Sequence, residues 1–136
     1  AAPPGRPPSR RRVLVVDDEP EAREVLREYL KEKGFDTLAV ASGEEALAEV
    51  PNFRPDVVLL DISMPRMTGV EALKRIKALP QETCVVMVSG EGDEETARRT
   101  LALGAADYIR KPVDFAYLDS VLEIHFLMSQ LDPDLK

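Results

Sequence analysis

Five short apolar runs, each followed by a stretch with helical spacing, constrain what this chain can fold into more than anything else in it. The runs are Val13-Leu14-Val15-Val16, Thr37-Leu38-Ala39-Val40, Val57-Val58-Leu59-Leu60, Val85-Val86-Met87-Val88 and Asp107-Tyr108-Ile109. The first, third and fourth are continuous and rich in valine. A strand with one wet face would alternate, whereas an unbroken run belongs in a parallel sheet covered on both faces. Between the runs, residues 20–33 place Ala22, Val25, Leu26, Tyr29 and Leu30 on one stripe, and Gly34 follows as a stop signal. Segments 43–50, 68–79 and 93–103 behave likewise, and a last helix is predicted over 114–131. Asp93, just before Glu94 and Glu95, is expected to cap its helix. Strict alternation of this kind predicts an α/β fold, a doubly wound five-stranded parallel sheet with five flanking helices.

At 136 residues the chain suits one domain whose core needs no disulfide or metal staple. Aromatics are only 5%, so that core must come from Val, Leu, Ala and Ile. No apolar run is long enough to span a bilayer and no signal-peptide core is visible, which predicts a cytoplasmic location and no membrane partner. The single cysteine, Cys84, agrees with a reducing compartment. The formal charge of −7 is uneven, because Arg6, Arg10, Arg11 and Arg12 open the chain without an acid. The body is therefore acidic, which argues against a nucleic-acid surface within it. Residues 1–11 read as a Pro/Arg-rich arm or linker, 12–131 as the domain, and 132–136 as a tail or the start of a linker.

In such sheets ligands gather at the carboxyl ends of the strands. The first strand ends in Asp17-Asp18-Glu19, the third in Asp61 and the fourth in Ser89-Gly90, while the fifth runs into Lys111-Pro112. Any one acid there could merely cap the next helix. Together the carboxylates would repel and raise one another's pKa unless a cation intervened. Hard oxygen ligands suit Mg²⁺, which keeps several waters and favours phosphate oxygens. A lysine and a hydroxyl facing that ion supply charge and a donor to phosphoryl oxygens. The set fits phosphoryl transfer by positioning and charge neutralisation.

These residues resemble those of the receiver domains of two-component response regulators, chemotaxis-regulator-like in type. Val15-Val16-Asp17-Asp18-Glu19-Pro20 resembles their opening. Asp61-Ile62-Ser63-Met64-Pro65-Arg66-Met67-Thr68-Gly69 resembles their phosphoacceptor loop, and Ser89-Gly90 and Tyr108-Ile109-Arg110-Lys111-Pro112 their remaining signatures. The resemblance covers about residues 12 to 131. It implies the flavodoxin-like strand order 2-1-3-4-5, and a switch that takes a phosphoryl group on Asp61 from a histidine kinase, a phosphotransfer protein or a small phosphodonor. It implies Mg²⁺ held by Asp18, Asp61 and the backbone carbonyl of Ser63, with Asp17 acting through water. Lys111 would bridge to phosphoryl oxygens, Ser89 would bond the attached group, and Tyr108 would rotate inward. The face of helix 4, strand 5 and helix 5 would then shift to control an output or partner. Ser63 and Glu91 stand where phosphoryl lifetime is tuned.

On the last helix, Leu118, Leu122, His125 and Phe126 form a plausible inward stripe. Val121, Ile124, Leu127, Met128 and Leu131 then point elsewhere, which predicts a homodimer or output interface. Contact with nucleic acid is expected only through an output domain outside this sequence. His125 reads as a packed residue, Cys84 as a small hydrophobe, Met64 and Met67 as loop residues, and Arg98-Arg99 as a solvated face. An aspartate-nucleophile phosphatase would want a second acid at position 63, and no phosphate-binding glycine loop follows the first strand. A regulator rather than a turnover enzyme is expected, with a phosphate-blind interaction domain as the rival hardest to exclude.

Overall fold

The computed structural model describes residues 11–129. The expected arm up to Arg10, Leu131 and the expected tail lie outside the described residues. The elements are β1 (Arg12–Val16), α1 (Pro20–Glu32), β2 (Asp36–Val40), α2 (Gly43–Phe53), β3 (Val57–Asp61), α3 (Gly69–Lys77), β4 (Cys84–Ser89), α4 (Glu94–Ala102), β5 (Asp107–Arg110) and α5 (Phe115–Ser129). All strands pair in parallel, as the alternation predicts, in the order β2-β1-β3-β4-β5 that the resemblance to receiver domains implies. None of the described helices is long and apolar enough to cross a membrane.

Alternate residues of each strand feed two core layers. Leu14, Val16, Val58, Leu60, Val85 and Met87 pack with Ala46 and Val50 of α2, Ala72, Leu73 and Ile76 of α3, and Ala97 of α4. Val13, Val15, Val57, Leu59, Val86, Val88 and Ile109 pack with Leu26 and Leu30 of α1 and with α5. Both faces of the central strands are covered, which is why their runs are continuous rather than alternating.

The turns follow from sequence where a local rule governs them. At the end of α1, Gly34 has φ +94 and donates to Lys31 O, while Phe35 N–H bonds Leu30 O, so the last carbonyls of the helix are satisfied by a glycine that accepts the left-handed backbone. Ser42 caps α2 by accepting from the Glu45 amide, and Thr68 caps α3 by accepting from the Glu71 amide. Helix α2 runs three residues past its expected end at 50, through Pro51 to Phe53. A proline in the final turn forfeits one amide donor, and the Phe53 ring beyond it packs on the core beneath the Arg12 guanidinium.

Three expectations are corrected by packing. Val121 is 3% exposed and belongs to the core layer with Leu118, Leu122 and Phe126, so it is not a partner-interface residue. Helical geometry explains this, since 118, 121, 122 and 126 fall on one face at i, i+3, i+4 and i+8. Ile124, Leu127 and Met128 do face outward, at 55%, 61% and 58% exposure. Val25 leaves the inward stripe of α1 and is exposed, lining a groove between α1 and the β5–α5 loop. Asp93 precedes α4 but makes no side-chain cap bond; its carboxylate is engaged elsewhere. Helices α1 and α5 are joined by the Tyr29 hydroxyl, which donates to the Asp119 carboxylate at 2.7 Å, and by the Tyr29 ring stacked on Phe115.

This division of α5 is measurable by urea unfolding. Leu122→Ala removes a fully buried side chain and should cost about 2–5 kcal/mol. Ile124→Ser in the monomer should stay within about 0.5 kcal/mol of the parent.

Candidate functional site

The strand register brings the acids level. Val16 pairs with Leu60 between β1 and β3, so the residues that follow, Asp17 and Asp61, stand side by side. Beyond β3 the ladder continues, with Ile62 N–H donating to Val88 O at 3.0 Å. Ser89 lies opposite Arg110, and the Lys111 amide donates to Ser89 O at 2.7 Å, which delivers the lysine to the same edge. The Lys111–Pro112 peptide is cis.

Asp17 and Asp61 are 1% and 3% exposed, while Asp18 is half-buried. One carboxylate oxygen from each of Asp17, Asp18 and Asp61 lies within 4.8 Å of the others, close enough to share a cation. Lys111 Nζ reaches Asp17 Oδ2 at 3.0 Å, Asp61 Oδ2 at 3.5 Å and Glu19 Oε1 at 3.6 Å. The second oxygen of Asp17 accepts from the Glu19 amide at 2.9 Å, and its backbone carbonyl accepts from the Arg23 guanidinium at 2.8 Å. Asp61 Oδ1 accepts from the Ser63 amide at 3.3 Å.

Burial, and then the charge of Asp17, push the Asp61 carboxyl up to about 6, although Lys111 and the Ser63 amide oppose the shift. For Lys111 burial is the largest single influence and favours the neutral amine. Asp17, Asp61 and Glu19 together outweigh it and hold the ammonium above its usual range. The Asp61 carboxyl is thus pushed upward, chiefly by burial, beside an ammonium that is retained. The Ser89 hydroxyl, on a residue with 0% exposure, has no hydrogen-bond partner, and a buried hydroxyl left this way is a donor without an acceptor.

The loop after Asp61 folds back on α3. The Gly69 amide donates to Ile62 O at 2.8 Å, and a Cβ at position 69 would lie 2.3 Å from Asp61 O, so only glycine fits.

The protein-family model described as the response regulator receiver domain matches residues 13–123. The chain belongs to the response regulator receiver family. Members of this family are signalling domains of two-component systems, phosphorylated on an aspartate; they bind Mg²⁺ at an acidic pocket and interact with histidine kinases or phosphotransfer proteins. The chain is 34% identical to regulatory protein AtoC of Escherichia coli over 92% of its own length and 27% of that protein. It is 36% identical to sporulation initiation phosphotransferase F of Bacillus subtilis over 76% of this chain and 83% of that one. The crystal structure of the receiver domain of NtrX from Brucella abortus superposes with a TM-score of 0.79 at 36% identity, covering 83% of this chain and 96% of that one. The chain spans between about a quarter and a half of the length of the first curated relatives it matches.

Within this receiver, the predicted Asp17, Asp18, Asp61 and Lys111 converge, and Ser89 closes the pocket from the next strand. Tyr108 is half-buried on β5 opposite Met87, packed on the α2–α3–α4 side of the sheet. Glu91 is exposed, and the Ser63 side chain turns from Asp61 to Asp93, donating to its Oδ2 at 2.9 Å. Sequence reasoning missed Asp93 and Arg23. Arg23 sits at helical spacing behind the Asp17 loop, a signal too common to single out, and Asp93 was absorbed by the cap rule.

The raised Asp61 carboxyl predicts a stability effect. Because the folded chain raises the Asp61 carboxyl from 3.8 to about 6, folding binds its proton more tightly, and stability falls as pH rises across that interval. In chelator at pH 7, Asp61→Asn should therefore be more stable than the parent by about 1–3 kcal/mol. The gap should shrink at pH 4.5 and on adding Mg²⁺, as read by urea unfolding.

Proposed function

We propose that this chain is a phosphorylation-dependent switch in which Asp61 takes the phosphoryl group from a histidine kinase, a phosphotransfer protein or a small phosphodonor. The observation that carries this reading is the convergence of Asp17, Asp18 and Asp61 beside Lys111, with the unpartnered Ser89 hydroxyl at the next strand end. An Asp61 oxygen attacks phosphorus, the phosphorus–nitrogen bond of a phosphohistidine breaks, and the leaving imidazole regains a proton. Mg²⁺, when bound, neutralises charge on the phosphoryl oxygens in transfer. Asp18, Asp61 and the Ser63 backbone carbonyl would hold it. Asp17 already has one oxygen on the Glu19 amide and the other on Lys111, which supports its acting through water. Lys111 lies where it can bridge to a transferred phosphoryl group.

Once the group is attached, Ser89 donates its free hydroxyl to it and Tyr108 turns into the space that Ser89 vacates. Only such differential contacts can shift a population between states. The change passes to the α4–β5–α5 face, which controls an output or partner. The exposed Ile124, Leu127 and Met128 of α5 supply an apolar surface for a second copy or an output domain. A groove of about 330 Å³ beside Asp17, lined by Ala22, Val25, Leu26, Pro112, Val113 and Phe115, suits the donor protein. Ser63 and Glu91 tune phosphoryl lifetime. With Ser63 where a phosphatase would carry a second acid, the chain acts as a regulator rather than a turnover enzyme, and its setting is cytoplasmic.

Incubation with Mg²⁺ and acetyl phosphate, read by intact mass, should give a single labile phosphoryl adduct. Asp61→Asn and a chelated sample should give none. No adduct, even with a panel of phosphohistidine donors, would instead make this a constitutive interaction domain that has kept its pocket. Glu91→Ala should change the rate of adduct loss severalfold, and an unchanged rate would remove Glu91 from the mechanism.

A further inference from the structure

The Asp93 carboxylate does something its position does not require. Its Oδ2 accepts from the Ser63 hydroxyl at 2.9 Å and from the Gly90 amide at 3.1 Å. Ser63 lies two residues beyond Asp61 on one loop, and Gly90 directly follows Ser89 on another. A single oxygen thus ties together the two loops that flank the phosphoacceptor.

The same residue leaves its own helix uncapped. Ser42 and Thr68 have extended backbones, with ψ of 162 and 164, and both accept an amide of their helix's first turn. Asp93, as good a cap by residue type, has ψ of 4 and makes no cap bond to α4. One carboxylate therefore faces two exclusive sets of donors, the loop pair it holds and the first-turn amides of α4 it forgoes. The segment between Ser89 and Asp93 contains Gly90 and Gly92, the latter at φ +88, so its backbone can exchange conformations at small cost.

Resting on the reading of Asp61 as phosphoacceptor, we infer that Asp93 is a positioning residue, a latch that favours the unphosphorylated loops and passes to the cap of α4 when Asp61 is phosphorylated. A phosphoryl group brings close to two negative charges and three acceptor oxygens beside the loops that Asp93 bridges. Those oxygens compete for the Gly90 amide, and their charge repels the Asp93 carboxylate. Released, the carboxylate meets the amides of Glu95 and Thr96, where a helix terminus favours an anion. The exchange would couple the phosphoryl group to α4 through a residue that touches neither metal nor phosphorus.

The test uses the whole chain with Mg²⁺ and fluoroberyllate, a mimic of the acyl phosphate, measuring affinity and amide hydrogen exchange. Wild type should bind, and Asp61→Asn should not. Asp93→Ala and Ser63→Ala each remove latch bonds, and each should bind about three- to tenfold more tightly than wild type, the scale of a lost competing hydrogen bond. On binding, the Glu95 and Thr96 amides should gain protection in wild type and in Ser63→Ala, but not in Asp93→Ala. Binding by wild type with unchanged affinity in both variants, or equal gains of protection in Asp93→Ala, would overturn the latch while leaving the phosphoacceptor intact. Failure of wild type itself to bind would overturn both.

Discussion

Lys111 places one ammonium within 3.6 Å of carboxylate oxygens from Asp17, Asp61 and Glu19, and the order of the site depends on that contact. Two of those carboxylates are almost wholly buried. Burial and the neighbouring charge of Asp17 both disfavour the ionised form of Asp61. Lys111 offsets part of that penalty, and the Asp61 carboxyl stays raised because burial, and then Asp17, outweigh it. One oxygen from each of Asp17, Asp18 and Asp61 is close enough to the others to share a cation.

The sheet supplies the geometry this balance needs. Parallel pairing of β1 with both β2 and β3 places the strand ends on one edge, and two layers of helix cover both faces. The acids and Lys111 then gather at the carboxyl ends of the strands, while the central strands below them are buried and apolar. Four chain segments distant in sequence contribute to one small pocket. Such a pocket can sense a change in any one of its loops, because each loop is held to its neighbours by only a few hydrogen bonds. The Ser63–Asp93–Gly90 contact is the clearest of these, joining residues 30 apart in sequence through one oxygen atom.

Much of this was legible before any coordinate. The five short apolar runs became five parallel strands in the expected order, and Asp17, Asp18, Asp61 and Lys111 met where the strand ends place them. Local rules also held for Gly34 at the end of α1, because a left-handed residue is a requirement of the backbone itself. They failed where two demands competed for one residue. Val121 looked outward-facing only until the width of the buried face on α5 was known. The helical segment expected over 43–50 runs on through Pro51 to Phe53, whose ring packs on the core. Asp93 satisfied the cap rule in sequence, yet a tertiary donor from another loop claimed its carboxylate.

The sequence by itself determined the periodicities, the strand-end acids and the residue types of the pocket, because these depend on neighbours in the chain and on the fixed geometry of strand and helix. Only the tertiary structure decided which side chains share an oxygen, which hydroxyl is left without an acceptor, and which apolar residues of α5 remain uncovered. Those outcomes depend on distances between segments far apart in sequence, where a shift of one ångström exchanges one hydrogen-bond partner for another.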